Sequence, residues 1–434
     1  MRHHRLASRF VTATSAIAAV ASLLVAGPAA MAQKPPADLT VLPPTPTDYT
    51  PKKTSWGDWD FTGTWPIENI ASTRILFQRP KTFGNRVWIT KEEHDKRIAN
   101  AERSDKGFTT DSLNAGGTQG LADWTKSSNF SWRTSMLVKP LDGQLPPLTP
   151  KGAALYKAGK SGWVPRQEFD WVDDFDSWDR CISRGFPASM FPFRYNYGQR
   201  IWQAPGYVVI QLEMLGTRVI PIGNNVPKVP AGPEAWMGLS RGHWEGKTLV
   251  IETDHIKSGD SATTNPLKRA ASPLNMATQN VPPFNTIPTS DKAHTVERLT
   301  MTGPNSILYE ITYDDPETFT APWTAQLEWT RDDKYEMPEY ACHEGDVQIR
   351  NYITASRAHR AQVAAGTSQP ITTDTRDRFA QQFDFDPVAP PDPNAPAPAP
   401  RGGGRGGAGR GGAGAPPAGA PPAGAPPAGA PPRQ

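Results

Sequence analysis

The 434-residue sequence contains only two cysteines, Cys181 and Cys342, and neither belongs to a Cys-x-x-Cys motif. Two cysteines alone make a poor zinc site, and the histidines lack the spacing of metal ligands. No Gly-x-Gly-x-x-Gly turn follows a predicted strand, and the phosphate-binding loop Gly-x-x-x-x-Gly-Lys-Ser/Thr is absent. The patterns Gly-x-Ser-x-Gly, Ser-x-x-Lys and His-Glu-x-x-His are also absent. We therefore predict no metal and no cofactor, and these absences argue against the corresponding enzyme classes.

The sequence also lacks the excess of basic residues that is typical of nucleic-acid binding. The formal net charge is +3, but residues 1–32 carry three arginines and residues 387–434 carry four. Residues 33–386 hold 39 basic and 42 acidic residues. The part of the chain that can fold is therefore slightly acidic, and we predict no nucleic-acid partner.

Both ends of the chain have unusual compositions. Residues 1–32 have a basic start, an apolar run and a final Ala-Met-Ala, which predict a secretory signal peptide and a periplasmic or secreted protein. In residues 387–434, 27 of the 48 positions are Pro or Gly and none is aromatic, which predicts a disordered tail that could contact the cell wall. No other segment approaches 18 consecutive apolar residues, so we predict no integral membrane segment after signal cleavage.

The central region predicts a mainly β protein with antiparallel strands. Segments such as 306–314 alternate apolar and polar side chains, as strands with one packed and one polar face do. The stretch 254–293 is too long for a routine connection and is a candidate functional segment. Eight strands are predicted, over residues 200–203, 207–214, 217–222, 241–253 (a hairpin of two strands that turns at 245–246), 294–302, 306–314 and 322–331.

Helical signals flank these strands. Thr90 and Glu93 form a capping box at the start of a helix predicted over 90–103. Thr149, which is followed by proline, starts a second short helix, and a third is predicted over 346–364. The predicted regions are a signal peptide (1–32), an extended lead-in (33–57), a mixed helix and loop region that packs on the sheet (58–199), an antiparallel β domain with a C-terminal helix (200–365), and a linker with the disordered tail (366–434).

Seven short blocks carry a resemblance to a known family. They are FTGTW at 61–65, LPPLTPKG at 145–152, RCISRGFP at 180–187, PGYVVI at 205–210, RGHWEGKTLVIET at 241–253, PWT at 322–324 and YACHEG at 340–345. Together they resemble a large, uncharacterised family of exported proteins from soil and environmental bacteria, over residues 58–355. The resemblance implies export and a link between the two cysteine-containing blocks, but it implies no particular reaction.

A second resemblance is to lipocalin-like barrels. Gly63 and Trp65 fit the Gly-x-Trp opening of those proteins, and eight meandering strands fit their strand count. In this sequence, however, the tripeptide lies far ahead of the main run of strands. The expected fold is therefore an antiparallel sheet or a lipocalin-like barrel of about eight strands, with a few peripheral helices.

The two cysteines define the first candidate site. Export would place them where disulfides persist, so we predict a Cys181–Cys342 bond, with two free thiols as the alternative. Such a bond would bring charged residues from both segments together. A His beside a carboxylate can act as a general acid or base, and Arg can hold an anionic group, whereas the alternative is a salt-bridged loop junction. The candidate catalytic residues are Arg184, His343 and Glu344, and the same cluster includes Asp179, Arg180 and Tyr195 as possible ligand contacts.

The second candidate site is the polar face of the predicted sheet. In a curled sheet this face could line a ligand cavity, and two carboxylates about 5–9 Å apart could hydrolyse glycosides. The alternative is a solvated outer face. The residues assigned to this face are Glu213, Arg218, Glu252, Glu297, Arg298, Glu310 and Glu328.

The third candidate is the abundance of tryptophan. Fourteen tryptophans are many for this length, and Trp171 and Trp178 lie in a segment rich in aspartate. Indole rings near carboxylates suit sugars or aromatic ligands, although tryptophans also fill cores. The aspartates suggest calcium, but the glycine and terminal glutamate of an EF-hand loop are missing.

Three functional hypotheses follow. The leading one is an exported protein that binds a small organic ligand, either a sugar or an aromatic compound. The alternative is a hydrolase or lyase that acts on a similar ligand through the His/Glu/Arg cluster. The third is a structural protein of the cell envelope.

Overall fold

The computed structural model describes residues 34–67, 75–99, 131–158, 167–193, 196, 198–228, 230, 232–258, 287–344 and 346–371. The predicted signal peptide, most of the segment 254–293 and the predicted tail lie outside these residues.

Ten strands form two antiparallel sheets in the described part of the chain. The strands are β1 (Gly63–Thr64), β2 (Leu137–Lys139), β3 (Gln199–Ala204), β4 (Tyr207–Leu212), β5 (Thr217–Pro221), β6 (Leu239–Glu245), β7 (Thr248–Asp254), β8 (His294–Gly303), β9 (Ser306–Asp314) and β10 (Trp323–Thr330). The strand order is β1-β3-β4-β5 in one sheet and β2-β10-β9-β8-β7-β6 in the other. The eight predicted strands are confirmed as β3 to β10, whereas the alternation does not predict β1 and β2.

The described strands do not close into a barrel of eight strands, so a lipocalin-like barrel is not confirmed. Among the described residues, β5 and β6 are joined by one bridge, between Ile222 and Gly242. β5 ends at Pro221, which has no N–H to donate to a further strand, and proline within a sheet is normally found at an edge. The result is two sheets that meet along one seam.

The inward faces of the two sheets share one hydrophobic core. On the six-stranded sheet, the rings of Tyr309 and Trp329 stack with centroids 4.2 Å apart, and those of Tyr313 and Trp323 stack at 5.1 Å. Burial of each large side chain contributes roughly 1.5–3 kcal/mol. Several tryptophans are therefore interior residues, and those that are fully buried among the described residues are Trp65, Trp88, Trp323 and Trp329.

In the described part of the chain, three α-helices lie outside the sheets. They are α1 (91–99), α2 (Pro150–Ala158) and α3 (Gln348–Ala364). The predicted capping box is confirmed, since the Glu93 N–H donates to Thr90 Oγ1 at 3.2 Å and the Thr90 N–H donates to Glu93 Oε2 at 2.8 Å. Thr149 caps α2 by accepting a hydrogen bond from the Gly152 N–H at 3.0 Å. Within the described ranges, no helix is both long and apolar enough to cross a membrane.

Candidate functional site

The seam between β5 and β6 is pinched at one point. There the Gly223 N–H donates to the Gly242 carbonyl at 2.9 Å. A Cβ atom on Gly242 would lie 2.6 Å from Ile222 Cδ1 and 3.2 Å from the Val250 carbonyl oxygen, so a larger residue at this position would displace the Ile222 side chain. β5 and β6 are parallel at this bridge. The seam is therefore open on both sides of the bridge, and a cavity lies on each side.

The first cavity, which we call the seam groove, has a volume of about 570 Å³. This volume is within the range of small-molecule sites, and the lining resembles such sites in being mainly apolar with a few polar groups. The lining comes from β5 and β6, from the loop before each of these strands, and from the segment that follows Cys181. It consists of Ile182, Ser183, Leu215, Gly216, Thr217, Arg218, Val219, Pro221, Ala235, Trp236, Met237, Gly238, Leu239 and Ser240.

A buried ion pair lies at the inner side of the seam groove. Arg218 is 3% exposed, and its Nη1 and Nη2 donate to the two carboxylate oxygens of Glu297 at 2.9 and 2.5 Å. Nη2 also donates to Ser240 Oγ at 3.0 Å and to Thr253 Oγ1 at 3.2 Å. The Tyr309 hydroxyl donates to Glu297 Oε1 at 2.9 Å. Charge-assisted pairs of this kind are strong and fix the orientation of both side chains.

Burial and charge act in opposite directions on this cluster. Burial lowers the pKa of Arg218, but the Glu297 carboxylate outweighs burial and leaves that pKa raised. Burial, reinforced by the same carboxylate, raises the pKa of Tyr309 well above its ordinary value. Arg218 therefore stays charged and Tyr309 stays protonated at neutral pH. Arg218 Nε is buried and has no hydrogen-bond partner among the described residues, so one guanidinium N–H is unsatisfied.

Trp236 contributes an aromatic ring to the groove, and two cations flank this ring. The guanidinium carbon of Arg180 and Nζ of Lys257 each lie 5.9 Å from the ring centroid, within the range of cation–π contacts. Lys257 is also 3.5 Å from a Glu234 oxygen, and several aspartates lie near Arg180. The aromatic face of the groove therefore has both positively and negatively charged side chains nearby.

The predicted disulfide is confirmed, with Cα atoms of Cys181 and Cys342 5.7 Å apart. It joins the segment before β3 to the segment after β10. The next two residues after Cys181, Ile182 and Ser183, line the seam groove. The disulfide thus helps to hold one wall of the groove in place.

The three predicted catalytic residues lie in different environments. Arg184 is 4% exposed, packs over the Phe193 ring at 4.4 Å and donates to a backbone carbonyl at 3.3 Å. His343 and Glu344 are exposed, and neither side chain forms a hydrogen bond or ion pair with any residue that the structure describes. The disulfide therefore joins the two segments, but Arg184 is buried whereas His343 and Glu344 are exposed.

The remaining predicted ligand-binding residues that the structure describes do not form one cluster. Glu213 accepts three hydrogen bonds at 2.6–2.8 Å, one of them from the Tyr335 hydroxyl, and ties the start of β3 to the chain after β10. Glu252 pairs with Arg241 at 2.5 Å on the outer face of the six-stranded sheet. Tyr195 lies outside the described residues. Of the predicted set, Arg218 lines the seam groove and Arg180 contacts its tryptophan.

The predicted polar face is not a single surface. Glu297 and Arg298 are neighbours in β8, and neighbouring residues in a strand point to opposite faces. Glu297 is fully buried and faces the core, whereas the Arg298 side chain is 38% exposed and pairs with Glu245 at 2.7 Å. In the sequence, the inward position of Glu297 is indicated by Leu299, a core residue two positions further along the same strand and therefore on the same face.

The aspartate-rich segment is a structured turn. Asp176 Oδ1 accepts hydrogen bonds from two backbone N–H groups of its own loop at 2.9 and 3.0 Å. Trp178 is 5% exposed and belongs to a hydrophobic cluster, whereas Trp171 is 57% exposed. Among the described residues, no group of three or more His, Cys, Asp or Glu is arranged to hold a metal ion.

Comparisons of the chain with protein-family models, with curated proteins and with solved structures find no match. The geometry of the seam is therefore the basis on which a function can be assigned.

Proposed function

We propose that this protein is an exported binding protein that holds a small organic ligand in the seam groove. The observation that carries the proposal is a largely apolar cavity of about 570 Å³ with the Arg218–Glu297 ion pair at its inner side. A ligand ring could pack against Trp236 and Met237, and a polar substituent could accept a hydrogen bond from Arg218 Nε or Ser240. Few polar groups at fixed positions in an apolar cavity are typical of sites that orient a small molecule.

The lining favours an aromatic compound over a sugar. Every sugar hydroxyl that leaves water needs a partner, because burial of an unpaired hydroxyl is unfavourable. Among the described lining residues, the side chains that can supply one are Ser183, Thr217, Arg218, Trp236 and Ser240. An aromatic ring with one or two polar substituents needs fewer partners and gains more from the apolar walls.

Export is part of the proposal. Disulfides persist in oxidising compartments, and the Cys181–Cys342 bond supports the wall of the groove. The composition of residues 1–32 and the resemblance to exported bacterial proteins point in the same direction.

The test is a binding screen with purified protein. Phenol, benzoate and vanillin represent aromatic compounds, and glucose, xylose and cellobiose represent sugars; saturation-transfer NMR detects binding and calorimetry gives Kd. We expect at least one aromatic compound to bind and Trp236→Ala to raise its Kd about tenfold, which corresponds to about 1.4 kcal/mol of lost ring contact. Trp202→Ala is the matched control, because Trp202 is 48% exposed on β3 and does not line the groove.

Two outcomes would contradict the proposal. One is the absence of binding by all three aromatic compounds, and the other is an equal effect of the two tryptophan substitutions. Mass spectrometry of the recovered ligand separates binding from catalysis. New product masses in excess over protein would replace the binding role with that of a hydrolase or lyase.

A further inference from the structure

A second cavity lies on the other side of the Ile222–Gly242 bridge and has a volume of about 460 Å³. We call it the hairpin cavity, because the turn between β3 and β4, at Pro205 and Gly206, forms one wall. The proposed function does not use this cavity. Its lining differs from that of the seam groove, since two tryptophans, an aspartate and an asparagine contribute to it.

The N-terminal lead-in holds one of these tryptophans at the cavity. Lys53 and Trp59 form an antiparallel bridge, and Trp59 Nε1 donates to the Gly246 carbonyl at 2.7 Å. The tight turn between Lys53 and Trp59 is thereby attached to the β6–β7 hairpin. Trp56 lies in this turn and is 39% exposed. Its indole N–H donates to Asp58 Oδ2 at 2.9 Å, which restricts the orientation of the ring.

The second tryptophan offers an unsatisfied donor. Trp244 lies on β6, and its ring packs edge-on against Phe61 with centroids 5.5 Å apart. Its Nε1 is buried and has no hydrogen-bond partner among the described residues. A buried N–H without an acceptor is unfavourable, so an acceptor atom that entered the cavity could be stabilised by it.

Two further polar groups have hydrogen-bonding capacity toward a ligand. Only one carboxylate oxygen of Asp58 is engaged by a side chain in the described part of the chain, which leaves Oδ1 as an acceptor. Asn224 is exposed, and its amide makes no hydrogen bond with a described residue, so it offers both a donor and an acceptor. The cavity thus places donors and acceptors around an exposed aromatic ring, and its one charged group is anionic.

We propose that the hairpin cavity binds a neutral carbohydrate. A sugar ring presents C–H groups that pack on an indole face, here that of Trp56, and hydroxyls that both donate and accept hydrogen bonds. Asp58, Asn224 and Trp244 would satisfy these hydroxyls. The Asp58 carboxylate repels anions, so acidic sugars are disfavoured.

The experiment measures binding of defined oligosaccharides to the full-length mature protein. The probes are tetrasaccharides of β-1,4-glucan, β-1,3-glucan, xylan and mannan, with tetragalacturonate as the anionic comparison; saturation-transfer NMR and calorimetry are the readouts. We expect at least one neutral probe to bind and tetragalacturonate to bind at least tenfold more weakly. Trp56→Ala should raise the Kd of the neutral probe about tenfold. Trp244→Phe removes the indole N–H but keeps an aromatic ring, and it should raise the Kd about threefold to tenfold.

The matched control is Trp171→Ala, because Trp171 is the most exposed tryptophan among the described residues and does not line the hairpin cavity. This variant should bind the probe as the wild type does. Near-ultraviolet circular dichroism verifies that each variant is folded. The proposal is overturned if none of the four neutral probes binds, or if Trp56→Ala and Trp244→Phe bind as tightly as the wild type. Sugar binding that is lost in Trp236→Ala but kept in Trp56→Ala would place the sugar in the seam groove, which refutes this site without refuting ligand binding by the protein.

Discussion

Glu297→Gln tests whether the buried ion pair stabilises the fold around the seam groove. In the wild type, the side chains of Arg218 and Glu297 are 2% and 0% exposed, and two N–O contacts of 2.9 and 2.5 Å join them. The substitution preserves the shape but leaves a buried guanidinium without its carboxylate. Removal of one partner from a buried pair costs about 3–5 kcal/mol. The folding equilibrium should therefore fall by roughly two to four powers of ten, measured by urea unfolding with tryptophan fluorescence.

Arg218→Met and the double variant complete the test. Methionine preserves apolar packing on the Phe186 ring, over which the guanidinium carbon lies at 4.5 Å. Loss of both charges should cost less than the sum of the single effects, with a coupling free energy of about 1 kcal/mol or more.

The result that would refute this reasoning is specific. A loss below about 1 kcal/mol for Glu297→Gln, or single effects that add to give the double effect within about 0.5 kcal/mol, would show that the two side chains are not energetically coupled.

Three other predictions concern the seam, the disulfide and the outer face. Gly242→Ala should lower the free energy of unfolding by about 1–3 kcal/mol, because the added methyl group meets the opposite strand, whereas Gly303→Ala, where the nearest non-neighbour atom is at 3.9 Å, should change it by less than about 1 kcal/mol. Cys181→Ser with Cys342→Ser should cost about 2–5 kcal/mol and lower the thermal midpoint, as should reduction of the wild type with dithiothreitol. Burial raises the pKa of Asp254, but hydrogen bonds from a neighbouring histidine and arginine lower it overall from 3.8. Its stabilising contribution is therefore present above pH 3.8 and is lost as pH falls through the lower folded pKa, so Asp254→Asn should destabilise the protein at pH 6 and differ progressively less from the wild type as pH falls below 3.8.

Each of these expectations has a contrary result. Equal losses for the two glycine variants would remove the argument for a pinched seam. A thermal midpoint that is unchanged by reduction would show that the disulfide does not support the native state. An Asp254→Asn effect of constant size from pH 6 to pH 3 would show that its charge is not the source of the effect.

The sequence predicts most of the strands because alternation is a strong signal in long strands. Residues 306–314 alternate over nine positions and form β9 as expected. The strand Gly63–Thr64 contains only two residues, and Leu137–Lys139 contains three, so neither is long enough to show a period. Alternation also assigns residues to faces without stating which strand edges pair. The division into two sheets is therefore not accessible from the pattern alone.

The sequence predicts which faces the two residues of the ion pair occupy, but not that they pair. Arg218 alternates with Ile220, and Glu297 alternates with Leu299, which places all four residues on inward faces. Charged residues are rarely fully buried, and this preference favours the assignment of Glu297 to a polar outer face. The alternation of the strand therefore predicts the inward position of Glu297 correctly, whereas the polarity of the residue predicts the wrong face. The pairing itself depends on contact between two sheets, which no local pattern encodes.

The two cavities depend on positions that carry no periodic signal. Trp236 lies in the loop before β6 and Trp56 lies in a turn of the lead-in, and neither position belongs to an alternating segment. The two rings line cavities on opposite sides of the bridge at Gly242, where a Cβ atom would lie 2.6 Å from Ile222 Cδ1. Sequence composition correctly indicates many tryptophans, but only the fold separates those that fill the core from those that line a cavity.

The buried cluster of Arg218, Glu297 and Tyr309 is an argument for the ligand-binding role that we propose for the seam groove. Desolvation of two charges costs several kcal/mol per ion, and apolar residues of similar volume often give equal or greater stability, so the ion pair is not needed to fill space. Departures from an apolar interior are expected where function requires them. Arg218 borders the groove and has one N–H without a partner among the described residues, while Glu297 and Tyr309 fix its position. A ligand acceptor at that N–H would complete the hydrogen bonds of the guanidinium where water has little access, and this is the contribution that apolar replacements could not make.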